Sequence, residues 1–260
     1  KVYLNLSPKT APDLNGIGQV VKAQWKHLPS LGIELVETPD EADVVACHVQ
    51  QTLPGLQVDV LHCHGLYFED VPHAPYTSWH VRVNKEIAAS VRKSRIVTVP
   101  SEWVAKPFQR DLRIAPKIIP HGIEFAEWNP GENLGYALWN KGRALDVCDP
   151  TPAWQLAKAG NLVVTTFPPP DKEIPENLKV VGLQPFDKMR ELIQSAGVYI
   201  ATTLETFGIG TVEALAAGVP VLGYDWGGTS TIIQHGYNGF LVRPGGDLRE
   251  GYAFIMENRA

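Results

Sequence analysis

Short apolar runs alternate along the chain with segments of helical spacing. Val2–Leu6, Ile33–Val36, Asp43–Cys47, Val58–Cys63, Arg95–Val99 and Lys117–Ile119 have the length and composition of strands. Between them, Gln19–Leu28, Val83–Arg92 and Trp103–Arg110 repeat apolar side chains at helical intervals. A second series of strands follows at Tyr136–Trp139, Leu162–Thr166, Lys179–Val181, Val198–Ala201 and Val219–Leu222. Its helices are predicted at Ala153–Ala159, Asp187–Ser195, Gly210–Ala217, Thr229–Gln234 and Leu248–Glu257. Strands alternating with helices predict βαβ units, and so parallel sheets covered on both faces. The unbroken apolar run Val219–Leu222 fits a strand buried on both sides.

The pattern breaks once, at Pro120–Gly131, where Pro120, Gly122, Asn129, Pro130 and Gly131 cluster without periodicity. A boundary there gives two Rossmann-like α/β domains, 1–122 and 123–260, each of ordinary size for a doubly wound fold. Apolar residues make up 44% and charged residues 20%, the balance of a soluble globular protein. No apolar run nears the ~20 residues of a membrane-spanning helix. Three cysteines, Cys47, Cys63 and Cys148, form no CxxC pair, so a reducing, cytoplasmic setting is expected, with peripheral contact to a membrane surface left open. The chain opens on Lys1 and stops inside a predicted helix at Ala260, from which a trimmed or truncated chain is expected.

A net charge of -5 argues against wholesale coating of nucleic acid. Within Arg82–Lys117, however, nine basic residues face three acidic ones. Two readings stay open: solvated outer faces of two helices, or a surface that attracts an acidic acceptor such as a lipid, a phosphorylated small molecule or nucleic acid.

The richest segment is Thr202-Thr203-Leu204-Glu205-Thr206-Phe207-Gly208-Ile209-Gly210-Thr211-Val212-Glu213. A strand ends, two glycines follow, and a helix begins. At such a junction the amides of residues 208–212, including Gly208, Ile209, Gly210 and Thr211, point outward as donors for a diphosphate. The glycines let the backbone approach it closely. A carboxylate at Glu213 accepts two hydrogen bonds from vicinal hydroxyls such as those of a ribose. Singly, Glu205 also reads as a capping group and Glu213 as a solvated helix residue.

Glu205 and Glu213 form an E-x7-E motif within ETFGIGTVEALAAGVPVLG, which resembles retaining glycosyltransferase family 4. Gly223–Gly228, His235–Leu241 and His121-Gly122-Ile123-Glu124 fit the same family. The resemblance implies the GT-B fold, two Rossmann-like domains facing a cleft. It implies a retaining transfer of sugar from a nucleoside diphosphate donor, UDP- or GDP-linked, with no separate cofactor; the sequence shows no DxD motif, so no obligatory metal is expected. In it Glu205 contacts hydroxyls of the donor sugar, Phe207, Gly208 and Ile209 present backbone groups to sugar and phosphate, and Glu213 holds the ribose.

Four residues are catalytic candidates: Glu205, His64, Arg143 and Lys141. Arg143 and Lys141 follow the first strand of the second domain, where cations stabilise charge growing on a leaving diphosphate. The family carries a phosphate-binding Lys several residues after its Gly-Arg pair. This chain has Asp146, Cys148 and Asp149 there, so Lys141 either stands in for it or belongs to a surface ion pair. In Asp59-Val60-Leu61-His62-Cys63-His64-Gly65, alternation puts His62 and His64 on one side of a strand end, with no third ligand spaced for a metal. His64, nearest the loop, is preferred over His62 and over His80. Gly16 and Gly18 precede a helix; they read as a glycine loop reaching a donor phosphate, or as part of a dinucleotide fingerprint. Three further readings therefore stand beside the transferase: a nicotinamide-dependent dehydrogenase, a non-catalytic sugar-nucleotide binding module, and a sugar-nucleotide epimerase.

Overall fold

A computed structural model describes residues 1–11, 16–51, 55–67, 75–144, 147–170 and 174–258. The chain divides between Gly122 and Ile123 into two compact units.

In the first unit, six strands form one parallel sheet: β1 (Val2–Leu4), β2 (Leu35–Val36), β3 (Val44–His48), β4 (Val58–His62), β5 (Ser94–Val99) and β6 (Lys117–Ile118), ordered β2-β1-β3-β4-β5-β6. The helices are α1 (Gly16–His27), α2 (Ser78–Lys93) and α3 (Glu102–Asp111). Local chemistry sets their starts. The Ser101 hydroxyl accepts the Val104 amide at 3.2 Å at the head of α3, an N-cap. At α2 the Thr77 amide donates to His80 Nδ1 at 2.9 Å, so an imidazole does the work of the usual Glu in a capping box. Val45, Cys47 and Leu61 share one face of the sheet and pack in a cluster with Val58 and with Ile87, Val91, Val104 and Phe108 of α2 and α3.

The second unit repeats the architecture with β7 (Ala137–Trp139), β8 (Val163–Thr165), β9 (Leu178–Val180), β10 (Val198–Ala201), β11 (Val221–Tyr224) and β12 (Gly239–Val242), ordered β12-β11-β10-β7-β8-β9 and all parallel. Its helices are α4 (Thr151–Lys158), α5 (Phe186–Gln194), α6 (Ile209–Ala216) and α7 (Arg249–Asn258). Alternation along each strand builds two cores. Ala137, Trp139, Val198, Ile200 and Leu222 face α4 and α7, with Leu156 and Ile255 among their partners. Leu138, Tyr199, Ala201 and Val221 face α5 and α6, against Ile193 and Ala214. Each Leu or Ile so buried contributes roughly 1.5–3 kcal/mol, which fixes the register on both faces.

Two predicted elements differ and one strand was not predicted. The strand expected at Val219–Leu222 begins at Val221, because the Val219 amide donates to the Ala214 carbonyl at 2.8 Å and closes α6, while left-handed Gly218 (φ 72°) turns the chain. The helix expected at Thr229–Gln234 is one 3-10 turn, Thr229–Thr231. Asn238 takes over the backbone groups a helix would need: its Oδ1 accepts the Gln234 amide at 2.7 Å and its Nδ2 donates to the Ile232 carbonyl at 3.3 Å. Strand β12, hidden in sequence behind the Tyr-Asn-Gly turn, completes the sheet edge.

Candidate functional site

In open α/β sheets ligands bind beyond the carboxyl ends of the strands, where the strand order reverses. In the second sheet that point lies between β7 and β10. Lys141 sits two residues past β7. Thr166, just past β8, ties down its backbone: the Lys141 amide donates to Thr166 Oγ1 at 3.2 Å, and that hydroxyl donates to the Lys141 carbonyl at 2.9 Å. The Lys141 ammonium donates to Glu205 Oε1 at 2.7 Å and to the Tyr199 hydroxyl at 3.3 Å, and lies 5.7 Å from the Tyr199 ring centre. Its side chain is 12% exposed and that of Glu205 32%. Burial works against the ammonium, but the Glu205 carboxylate outweighs it and raises the Lys141 pKa, so Lys141 stays charged. A buried ion pair of this kind is weak evidence for stability, because desolvation offsets most of its attraction.

Glycines shape the mouth above the pair. Gly208 caps α6 in the left-handed region at φ 101°, and a β-carbon there would come within 2.6 Å of Thr229 Oγ1. A β-carbon on Gly210 would overlap the Tyr199 hydroxyl, so the small residue at 210 is what lets a tyrosine from mid-sheet reach Lys141. Gly208 accepts the amides of Thr211 (3.0 Å) and Val212 (3.3 Å). The Ile209 and Gly210 amides, in the first turn of α6, have no acceptor among the described residues. Glu213, one turn further on, is partly buried. Burial pushes its carboxyl up to about 7; Lys141 opposes this and Glu205 adds to it.

Among the described residues, six buried side-chain polar atoms lack a hydrogen-bond partner: Trp139 Nε1, Asn140 Oδ1, Thr202 Oγ1, Thr203 Oγ1, Trp226 Nε1 and Thr229 Oγ1. All belong to the second unit, at or beyond the ends of β7, β10 and β11. Buried groups of this sort are rare in folded proteins. Here they fall at the ends of the strands on either side of the switch point, in the turns that follow them, and beyond β11.

The first unit holds a different cluster. His48 ends β3, His62 ends β4 opposite it in register, and His64 and His121 lie in the loops after β4 and β6. His48 Nδ1 is 3.0 Å from His64 Nε2, His48 Nε2 is 2.7 Å from Gln24 Oε1, and His62 Nδ1 is 2.7 Å from Thr98 Oγ1. The His64 ring is near-parallel to those of His48 and His121, at 22° and 28°, with centroids 5.3 and 5.5 Å apart. Burial, with smaller contributions from neighbouring imidazoles, pushes His48 to about 2, His64 to about 3 and His121 to about 4. These rings are neutral at pH 7. Among the described residues no group of three or more His, Cys, Asp or Glu is arranged to hold a metal.

The structure brings Lys141, Glu205 and the α6 mouth (Phe207, Gly208, Ile209, Gly210, Thr211) together with Glu213, on one side of the second sheet. Arg143 lies exposed two residues beyond Lys141. Of the two open readings for Lys141, the surface pair is corrected: its partner is the half-buried Glu205 across the switch point. Glu213 is likewise no solvated helix residue. His80 is removed from the histidine cluster; it caps α2 and packs with Tyr67, Tyr76 and Trp79. Gly16 opens α1 and Gly18 is buried in its first turn, but β1 ends at Leu4, so the pair does not make the tight strand-to-helix turn of a dinucleotide fingerprint. The nine basic residues of Arg82–Lys117 are all exposed, and Arg82, Arg95 and Arg110 have acidic partners in Glu86, Asp59 and Asp111. No helix among the described residues is long and apolar enough to cross a membrane. Sequence reasoning missed Tyr199, which reads as a core residue of β10, and both His48 and Gln24. The parallel endings Ala46-Cys47-His48 and Leu61-His62-Cys63-His64 were the available signal for His48.

Comparison with known proteins adds the following. Residues 171–260 match the family described as Glycosyl transferases group 1; this stretch includes Glu205, Gly208 and Glu213. A D-inositol 3-phosphate glycosyltransferase from Nocardia farcinica is 37% identical over 71 residues, 27% of this chain and 16% of that protein. The chain therefore spans under a fifth of that curated relative's length. Among solved structures, sucrose-phosphate synthase from Thermosynechococcus elongatus superposes with a TM-score of 0.76 at 14% identity, covering 99% of this chain and 89% of that one. Anabaena HepE in complex with UDP-glucose superposes with a TM-score of 0.67 at 16% identity, covering 98% and 88%. The fold is of GT-B type.

Proposed function

We propose that this chain transfers a sugar from a nucleoside diphosphate donor, UDP- or GDP-linked, to an acceptor hydroxyl with retention of configuration. One observation carries the reading: a Lys141–Glu205–Tyr199 cluster lies under a glycine-built helix mouth at the switch point of the second sheet. The group 1 glycosyltransferase match over that mouth and the UDP-glucose complex of a protein of like fold support it. Ile209 and Gly210 offer amides to the diphosphate, and Glu213 takes the ribose hydroxyls. Glu205 faces the sugar hydroxyls. As the bond from the anomeric carbon to the phosphate oxygen breaks, charge grows on the leaving diphosphate. Lys141 is fixed beside it, with Arg143 as a second cation, and such preorganised charge acts most strongly in the transition state. The acceptor oxygen bonds to the same face of the sugar, and its proton passes to the departing phosphate oxygen. The departing phosphate oxygen serves as the base, and the step so written calls on neither a protein nucleophile nor a metal. The acidic-acceptor reading of Arg82–Lys117 stays part of the proposal.

The test is a thermal-shift series with UDP, GDP and their sugars. A binding nucleotide raises the melting temperature in proportion to the logarithm of its concentration over Kd. Glu205→Gln should weaken the response to the sugar nucleotide at least tenfold in apparent Kd while sparing that to the bare diphosphate, about 1.4 kcal/mol. Lys141→Ala should weaken both. If no nucleotide in the series shifts the unaltered chain, the reading is wrong.

A further inference from the structure

The first sheet also has a switch point, between β1 and β3 in the order β2-β1-β3-β4-β5-β6. His48 stands there, 2% exposed. Its backbone is clamped to the residue after β1: the His48 amide donates to Asn5 Oδ1 at 2.7 Å, and Asn5 Nδ2 donates to the His48 carbonyl at 3.4 Å. The next residue, Val49, holds φ at 68°, a left-handed conformation that costs a β-branched side chain dearly. Such local strain persists only where surrounding contacts over-determine it, and it clusters at functional sites.

The hydrogen bonds along this array have one direction. Gln24 Oε1 on α1 can only accept, so the single proton of a neutral His48 sits on Nε2. His48 Nδ1 is then a bare lone pair, and the 3.0 Å contact requires His64 Nε2 to donate to it. A neutral His64 whose proton is on Nε2 has an unprotonated Nδ1. That nitrogen has no hydrogen-bond partner among the described residues, and it is not among the buried atoms left unpaired. The His121 ring lies beside that of His64, with centroids 5.5 Å apart and planes 28° from parallel.

We propose that Gln24, acting through His48, fixes the tautomer of His64 so that His64 Nδ1 presents a lone pair to a hydroxyl of a bound ligand. Gln24 and His48 are positioning residues, and His64 makes the contact. The ligand class follows from the polarity. A neutral nitrogen lone pair accepts from a sugar or polyol hydroxyl and offers nothing to a fully ionised phosphate or carboxylate. That the hydroxyl belongs to the donor sugar or its acceptor rests on the function proposed above; the tautomer does not.

Long-range 1H–15N correlation spectra of the 15N-labelled chain at pH 7.5 read each imidazole tautomer directly. The expected result is protonated Nε2 and bare Nδ1 for both His48 and His64. Gln24→Met removes the acceptor and should move the His64 tautomer ratio by roughly fivefold, the worth of one net hydrogen bond. Gln24→Lys supplies only donors and should reverse the array, placing the His64 proton on Nδ1. The inference is overturned if His64 carries its proton on Nδ1 in the unaltered chain, a result that needs no variant to fold, or if neither substitution moves the ratio. Steady-state turnover with a sugar nucleotide gives the second arm: Gln24→Met should lower kcat about tenfold with the donor KM little changed. Spectra as expected together with no turnover of any sugar nucleotide would uphold the array and reject the transferase reading, so the two failures are distinct.

Discussion

Glu213 shows how much one partly buried carboxyl can reveal. Its pKa is raised by burial from 4.5 to about 7, so the folded state binds a proton that the unfolded chain gives up between those values. Where the native state holds more protons, stability falls as pH rises. The chain should therefore lose stability through this group between about pH 4.5 and 7 and carry the full penalty above 7. Glu213→Gln keeps the shape and removes the titration. Urea midpoints taken from pH 4.5 to 8 should converge for the two proteins at the acid end, with the variant ahead by about 1–3 kcal/mol at pH 8. Parallel curves would mean that Glu213 titrates near its ordinary value. In sequence, Glu213 is one more glutamate on a helix. Only its eight-residue offset from Glu205 marked it, and nothing marked Tyr199, because the reason a tyrosine there touches Lys141 is the missing side chain of Gly210, eleven positions away.

At the scale of elements, the sheets were largely legible because parallel strands buried on both faces must be apolar throughout, as Val198–Ala201 is. The pattern failed where side chains outvote periodicity. Asn238 breaks a helix by capturing backbone groups, and Val219 spends its amide on closing α6. The strand ends were the least legible part, and they hold the chemistry. His48 is the last residue of β3, just beyond the apolar run that predicted the strand. A prediction belongs to these strand ends as a set. His48, His62, His64 and His121 have pKa values lowered by burial, while the unfolded chain protonates near 6.5. The first unit should keep its full stability above that value and lose it as pH falls toward the folded values of about 4, 3 and 2 for His121, His64 and His48. Proton uptake on unfolding at pH 5, measured by calorimetry in buffers of different ionisation enthalpy, should exceed two protons from these groups. Among its described residues the second unit holds no such histidine cluster. An uptake near zero at pH 5 would show that the four rings are not held neutral.

Across the whole molecule, the two compact units part between Gly122 and Ile123, inside the aperiodic stretch Pro120–Gly131. The residue-level site could not be read the same way, since Lys141 and Glu205 are 64 positions apart and meet only because β7 and β10 are neighbours. The second unit has its own six-stranded sheet and a core on each face. A fragment spanning 123–260 should thus fold alone and melt cooperatively, with a near-ultraviolet circular dichroism signal from Trp139 and Trp226. Loss of that signal with helix content retained would indicate a loosely packed state and a unit that depends on its neighbour.

The turn after β11 is stitched to the turn after β10. The Gly228 amide donates to the Glu205 carbonyl at 2.7 Å, a β-carbon on Gly227 would come within 2.7 Å of that same oxygen, and one on Gly228 would overlap the Thr206 carbonyl. Further along, the Asp225 amide is tied to Val242 of the edge strand at 2.8 Å. With no slack between them, the two turns act as a tie-rod. A ligand that shifts the backbone at Glu205 would therefore bear directly on Gly227 and Gly228, so a displacement in the middle of the sheet is passed toward its rim.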